Sequence, residues 1–140
     1  MKKTKKSTSS STVSSGYYLL DTNIFILSMQ KSKRLKKDLI EIIQSPKNSV
    51  FISVASIWEI IIKREKGKLK IRGNPEEDAK KADFIILPIQ ASHALAIQKL
   101  PLHHQDPFDR LLAAVAKIED LTLITTDSKI AKYDVDVLKV

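Results

Sequence analysis

The chain has 140 residues, enough for one domain, and at 43% hydrophobic it can fill a core without a disulfide or a structural metal. It contains no cysteine, which excludes disulfides, thiolate zinc sites and cysteine nucleophiles together and suits a reducing cytoplasm. Its 24 basic and 16 acidic residues leave a formal charge of +8, a balance that favours polyanions such as nucleic acid and serves equally well as a solubilising surface.

Residues 1–16 are lysine, serine and threonine with almost nothing apolar, so they are expected to be a disordered tail preceding a domain over 17–140. Four of the lysines lie there, and removing four charges from +8 leaves +4 for the remainder. No apolar core follows these lysines, so a secretory signal peptide is not expected. No apolar run approaches the roughly 18–20 residues of a spanning helix, so a cytoplasmic protein with no membrane partner is expected.

The run Tyr17-Tyr18-Leu19-Leu20 reads as a buried strand. A helix over 24–29 follows, and 34–44 places Leu35, Leu39, Ile42 and Ile43 at helical spacing with lysines opposite. After a turn at 45–48, residues 50–52 form a second strand. Ser53 then caps a helix through Lys66, which Gly67 ends. Asn74 and Pro75 open a helix to about 83. A third strand covers 84–87, and 92–100 is helical. Asp106-Pro107 opens another helix to about Glu119. A strand over 121–125, a short helix over 129–133 and a last strand over 135–140 complete the chain. Strands alternate with crossovers long enough for βαβ units. This predicts an α/β fold with a mainly parallel sheet covered on both faces.

In such sheets ligands collect outside the carboxyl ends of the strands. Asp21 follows the first strand, Asp127 follows the 121–125 strand, Asp109 sits in the first turn of a helix, and Glu59 lies about two turns into the helix after 50–52. Each acid also has a plain structural reading. Asp21 and Asp127 suit turns or caps, Asp106 suits an N-cap, and Asp109 suits the dipole at the third helical position. Glu59, among Ile57, Trp58, Ile60, Ile61 and Ile62, either points to solvent or faces a cation. Carboxylates gathered at one edge repel one another, and a hard divalent cation is the usual compensation. Mg²⁺ or Mn²⁺ held this way suits phosphodiester hydrolysis.

His103 and His104 read as loop residues and His93 as a structural helix residue. Two basic clusters are available to phosphates and read equally well as solvated faces: Lys63, Arg64, Lys66, Lys68, Lys70 and Arg72, and Lys31, Lys33, Arg34, Lys36 and Lys37. Arg110 is placed to touch a phosphate or anchor a neighbouring acid.

Four segments taken together carry a resemblance. Leu19-Leu20-Asp21-Thr22-Asn23, Ser53-Val54-Ala55-Ser56-Ile57-Trp58-Glu59-Ile60, Asp106-Pro107-Phe108-Asp109-Arg110-Leu111-Leu112-Ala113-Ala114 and Leu123-Ile124-Thr125-Thr126-Asp127 resemble PIN-domain nucleases, in particular the VapC-type toxins of bacterial toxin–antitoxin pairs. The resemblance spans about residues 17–140. It implies a three-layer α/β/α sandwich around a parallel sheet, and endonucleolytic RNA cleavage by water activated by Mg²⁺ or Mn²⁺. It implies that Asp21, Glu59, Asp109 and Asp127 are the catalytic and metal-binding acids; Asp106, which its cap role already accounts for, is a fifth candidate metal ligand. Thr22, Asn23 and Thr126, with Arg110 beside them, become supporting or substrate-facing positions. A homodimer and a small antitoxin occluding the acidic cleft are implied as well.

Two other readings remain at this point. One is a nucleic-acid- or antitoxin-binding module without turnover, motivated by the basic clusters. The other is a phosphatase using Asp21 as nucleophile, against which stands Asn23 where the dehalogenase-like phosphatases carry a second aspartate.

Overall fold

The computed structural model of the protein describes residues 16–102 and 105–140; the proposed tail up to residue 15 and the pair His103 and His104 lie outside the described residues. Strand β1 is Tyr17–Leu20, followed by helices α1, Thr22–Met29, and α2, Lys37–Gln44. Strand β2, Ser49–Ser53, leads into α3, Val54–Glu65, and then α4, Pro75–Lys81. Strand β3, Ile85–Leu87, precedes α5, Ala91–Ala96, which continues as a 3₁₀ turn, Ile97–Lys99. Helix α6, Pro107–Glu119, strand β4, Thr122–Thr125, a second 3₁₀ turn, Ile130–Lys132, and strand β5, Val137–Lys139, finish the fold.

The five strands form one sheet in the order β3-β2-β1-β4-β5, and every neighbouring pair is parallel. The sequence predicts a mainly parallel sheet, and the described strands go further. β1 occupies the centre. The chain builds outward through β2 and β3, then returns through α5 and α6 to the other side of β1 to lay down β4 and β5. The order therefore reverses between β1 and β4, and the carboxyl ends of those two strands flank the crevice where ligands bind in sheets of this type.

Both faces of the sheet are buried. Leu19, Phe51 and Leu123 point to one side, where Leu112, Val115 and Ala116 of α6 cover them. Tyr18, Leu20, Val50, Ile52 and Ile124 point to the other, against Ile24 and Phe25 of α1, Leu39 of α2, Ile60 of α3 and Ala79 of α4. The period-two alternation of the strands thus feeds two cores, giving three layers, α/β/α.

Local chemistry sets the helix ends. Ser53 Oγ accepts from the Ala55 amide at 3.0 Å to start α3, and Asn74 Oδ1 accepts from Glu76 and Glu77 to start α4 behind Pro75. Gly67, at φ +71°, follows α3 in the left-handed conformation that a side chain disfavours. Helix α2 begins later than periodicity suggests. Residues 32–35 form a turn, with Ser32 Oγ accepting from the Arg34 amide, and Lys36 is extended. Leu35 still packs on the core from that turn. Gly16 is buried, and its carbonyl accepts from the Ser49 amide at 2.9 Å, so ordered pairing extends one residue before β1. Among the described residues no helix is long and apolar enough to cross a membrane.

Leu112 joins α6 to the sheet and is fully buried. Leu112→Ala is expected to lower unfolding free energy by about 2–5 kcal/mol, read from the urea midpoint of its equilibrium unfolding curve.

Candidate active site

Asp21 is the first residue beyond β1. Its amide donates to the Ile124 carbonyl at 3.0 Å, carrying the β1–β4 pairing one step past the strand and fixing the backbone at the sheet edge. Its side chain caps α1: Oδ1 accepts from the Ile24 amide at 2.8 Å. Oδ2 accepts from the Thr125 hydroxyl at 2.5 Å. The residue is only 4% exposed.

These surroundings conflict. Burial pushes the Asp21 carboxyl above its ordinary value. The Thr125 hydroxyl and the Ile24 amide, which favour the charged form, pull it down, and the negative charges of Glu59 and Asp127 push it up again. The net direction is upward. Asp21, Glu59 and Asp127 therefore belong to one electrostatic neighbourhood.

Thr125, the last residue of β4, is the hub between two of these acids. It is fully buried, and while its hydroxyl donates to Asp21 its Oγ accepts from the Asp127 amide at 3.0 Å. Asp127 is half-buried, and its Oδ1 accepts from the Lys129 amide at 2.8 Å. Its turn-capping reading is thus met by one oxygen of the carboxylate.

Glu59 lies on the buried face of α3 with Ala55, Ser56 and Ile60, whereas Trp58 and Ile61 are exposed. Of the two orientations open to it from sequence, the inward one is observed. Its Oε2 meets Lys63 Nζ at 3.1 Å, and its Oε1 is buried with no hydrogen-bond partner. Thr22 Oγ1 donates to Ser56 Oγ at 2.8 Å, stitching the first turn of α1 to α3 beneath Glu59.

Asp106 and Asp109 occupy the start of α6. Asp106 Oδ1 accepts from the amides of Phe108 and Asp109 at 2.8 and 3.2 Å, so the cap reading accounts for it. Asp109 is half-buried at the third helical position. Phe108 meets Trp58 edge-to-face with ring centroids 5.2 Å apart, clamping this turn of α6 against the turn of α3 that carries Glu59.

Asn23 and Thr126 are exposed beside the acids. Arg110 is directed elsewhere. Its Nη1 donates to the Pro101 carbonyl and the Tyr133 hydroxyl, and its Nη2 to the Ile97 carbonyl, so it braces the chain leaving α5 against the turn before β5. His93 is fully buried; its Nδ1 accepts from the Gln90 amide, so the ring proton sits on Nε2, 2.8 Å from Glu119 Oε2. That is a structural role, as its helix position suggests.

Among the described residues no three or more acidic, imidazole or thiol side chains come together as a group that could hold a metal ion by themselves. The donor set nevertheless fits a hard divalent cation. It consists of carboxylate oxygens that repel one another, and it includes a buried oxygen on Glu59 that lacks any donor. Mg²⁺ keeps several waters, so an incomplete protein cage suits it better than a closed one. Sequence reasoning missed Thr125 and Ser56, and placed Lys63 in a basic cluster without pairing it to Glu59. Thr125 carries a faint signal, a threonine ending a strand two residues before an acid; Lys63 stands four residues after Glu59 on the same helix; Ser56 carries none.

The sequence matches the family model described as PIN domain over residues 18–136. Solved structures share the fold. VapBC2 from Rickettsia felis, bound to a DNA fragment from its promoter, superposes with TM-score 0.64 at 20% identity, covering 88% of this chain and 98% of that one. FitAcB from Neisseria gonorrhoeae gives 0.58 at 21%, covering 87% and 96%, and a toxin-antitoxin complex from Klebsiella pneumoniae gives 0.59 at 21%, covering 87% and 96%. No curated protein matches the sequence.

Because the folded pKa of Asp21 lies above its unfolded one, folding favours the protonated acid. That contribution is present below the ordinary carboxylate range and is lost as pH rises through the folded value. Asp21→Asn keeps the cap acceptor and removes the charge. In chelator-treated protein it is expected to melt a few degrees higher than wild type at neutral pH, with the gap closing under acid conditions. Thermal melts of both proteins across pH check this.

Proposed function

The chain belongs to the PIN-domain family, and from that membership and its acidic pocket we propose that it is a divalent-metal-dependent endoribonuclease, the toxin of a toxin–antitoxin pair acting in the cytoplasm. The observation that carries this reading is the combination at the β1–β4 crevice: a buried Asp21 carboxyl raised by burial and by Glu59 and Asp127, beside a Glu59 oxygen with no partner. So unfavourable a grouping is hard to account for as structure alone and gains a purpose when a cation enters.

Asp21, Glu59 and Asp127 would hold Mg²⁺ or Mn²⁺, with Asp109 joining from α6. Such an ion, when bound, polarises a phosphodiester and lowers the pKa of a water. The chain's own residues do the positioning. Thr125 and the Ile24 amide fix both oxygens of Asp21. The Thr22–Ser56 bond holds α1 and α3 in register. Thr126 and Asn23, exposed at the edge, face the approaching strand. The basic clusters over 31–37 and 63–72 supply affinity for RNA phosphates that does not depend on sequence.

The toxin role draws support from the structural relatives, among them a toxin–antitoxin complex. A small antitoxin partner that covers the acidic crevice belongs to this reading. So does a second copy of the chain, for which the exposed apolar residues Val54, Trp58 and Ile61, spaced along one side of α3, offer a surface. The competing reading, binding without turnover, predicts RNA affinity indifferent to divalent ions and to the acids.

Asp21→Asn and Asp109→Asn are each expected to cut Mg²⁺-dependent cleavage of labelled RNA by about 100-fold or more while circular dichroism stays native. Full activity in both variants would remove the assignment. In a second test, Mn²⁺ is expected to raise the melting temperature of the wild type and leave that of Asp21→Asn unmoved.

A further inference from the structure

Glu59 and Lys63 stand one turn apart on α3, and the lysine ammonium lies 3.1 Å from Glu59 Oε2. Spacing alone would make this an ordinary helical pair. Helix α4 has such a pair: Lys80 and Glu76 meet at 3.3 Å with side chains 64% and 53% exposed. The Glu59–Lys63 pair is different in kind. The Glu59 side chain is 10% exposed and that of Lys63 40%, so a solvent-accessible stem delivers its charged head to a nearly buried acid. Lys63 also differs from its neighbour in the basic cluster, because Arg64 spends its Nη1 on the Gly73 carbonyl.

The pairing of Glu59 is incomplete. One ammonium sits on Glu59, whose other oxygen has no partner, while Glu59 and Asp127 both act on the buried Asp21. The lysine meets one oxygen of Glu59 and leaves the other, buried, without a donor. A divalent cation entering the pocket would bind Glu59 more strongly than the ammonium does. A helical pair of this spacing is weak and readily exchanged. Lysine carries a compact charge on a flexible stem, suited to moving from one anion to another nearby. The anion that must approach this acidic pocket is a phosphodiester, which the carboxylates repel.

We propose that Lys63 is a phosphate-binding residue of this site. Its ammonium occupies Glu59 in the metal-free protein and passes to a phosphate oxygen of the RNA backbone once a divalent cation takes the Glu59 carboxylate. The inference rests on the ribonuclease reading above. It makes Lys63 the link between metal loading and substrate affinity: RNA binds tightly only after the metal has released the lysine.

The test uses full-length protein and two probes. Mn²⁺ alone is titrated calorimetrically. Binding of a fluorescein-labelled single-stranded RNA is followed by anisotropy over a range of salt in Ca²⁺, an oxygen-seeking ion of looser geometry than Mg²⁺. Lys63→Gln is expected to weaken RNA binding about tenfold and to flatten the slope of log affinity against log salt by about 0.7, one counterion on a single strand. Lys63→Arg keeps the slope, Lys80→Gln changes neither quantity, and Lys63→Gln binds Mn²⁺ at least as tightly as wild type.

Unchanged RNA affinity and slope in Lys63→Gln, with wild type binding both probes, overturns the inference and leaves the ribonuclease reading standing. Loss of Mn²⁺ binding in Lys63→Gln also overturns it, since the lysine would then only orient Glu59. A wild type that binds neither Mn²⁺ nor RNA removes the underlying reading and the inference with it.

Discussion

The hydrogen bond from Thr125 to Asp21 joins the two strands at which the sheet reverses its order, and the arrangement of the site follows from it. Asp21 directly follows β1 and Thr125 ends β4; they are 104 residues apart in sequence and bonded in space. The same threonine oxygen accepts from the Asp127 amide, so a single buried hydroxyl fixes two acids relative to each other. Without the central pairing of β1 with β4 this contact would not exist. A carboxylate held at such a place is costly by burial, and that cost is visible in the upward displacement of the Asp21 pKa.

The two cores serve the site unequally. Helix α6 covers one face of the sheet and presents Asp106 and Asp109 at its amino end, where the helix dipole and the cap both favour acids. Helix α3 contributes Ile60 to the opposite core and turns Glu59 toward the pocket from the same buried face. The Trp58–Phe108 contact ties the two helices together across the site. On the proposed reading function and stability pull in opposite directions here, because replacing the site acids by neutral side chains would relieve repulsion and remove the groups that receive the cation.

Much of the fold could be read from the sequence because the signals were local. Ser53, Asn74-Pro75 and Asp106-Pro107 mark helix starts by their own capping chemistry, and Gly67 marks an end. The apolar runs of β1, β2 and β4 lack a polar face because both sides of the sheet are covered. The family match and the all-parallel sheet agree with the expected PIN-like sandwich. The site was harder to read where contacts are distant. Isoleucines surround Glu59 in the sequence, so periodicity alone could not choose its direction; the structure exposes Ile61 and Trp58 and buries Glu59 with Ser56. Thr125 looks like any β-branched strand residue until its partner is known. Arg110, beside an acid in sequence, braces carbonyls at 97 and 101 instead, because the loop leaving α5 runs past α6.

The central claim is that the mutual repulsion of Asp21, Glu59 and Asp127 exists to receive a cation. A crystal soaked in Mn²⁺ and measured at the manganese absorption edge tests it most directly. The account predicts an anomalous peak in the β1–β4 crevice, within coordination distance of an Asp21 oxygen and of Glu59 Oε1, with the Lys63 ammonium displaced from Glu59. Manganese found only at surface carboxylates, with the Glu59–Lys63 pair intact, would contradict it.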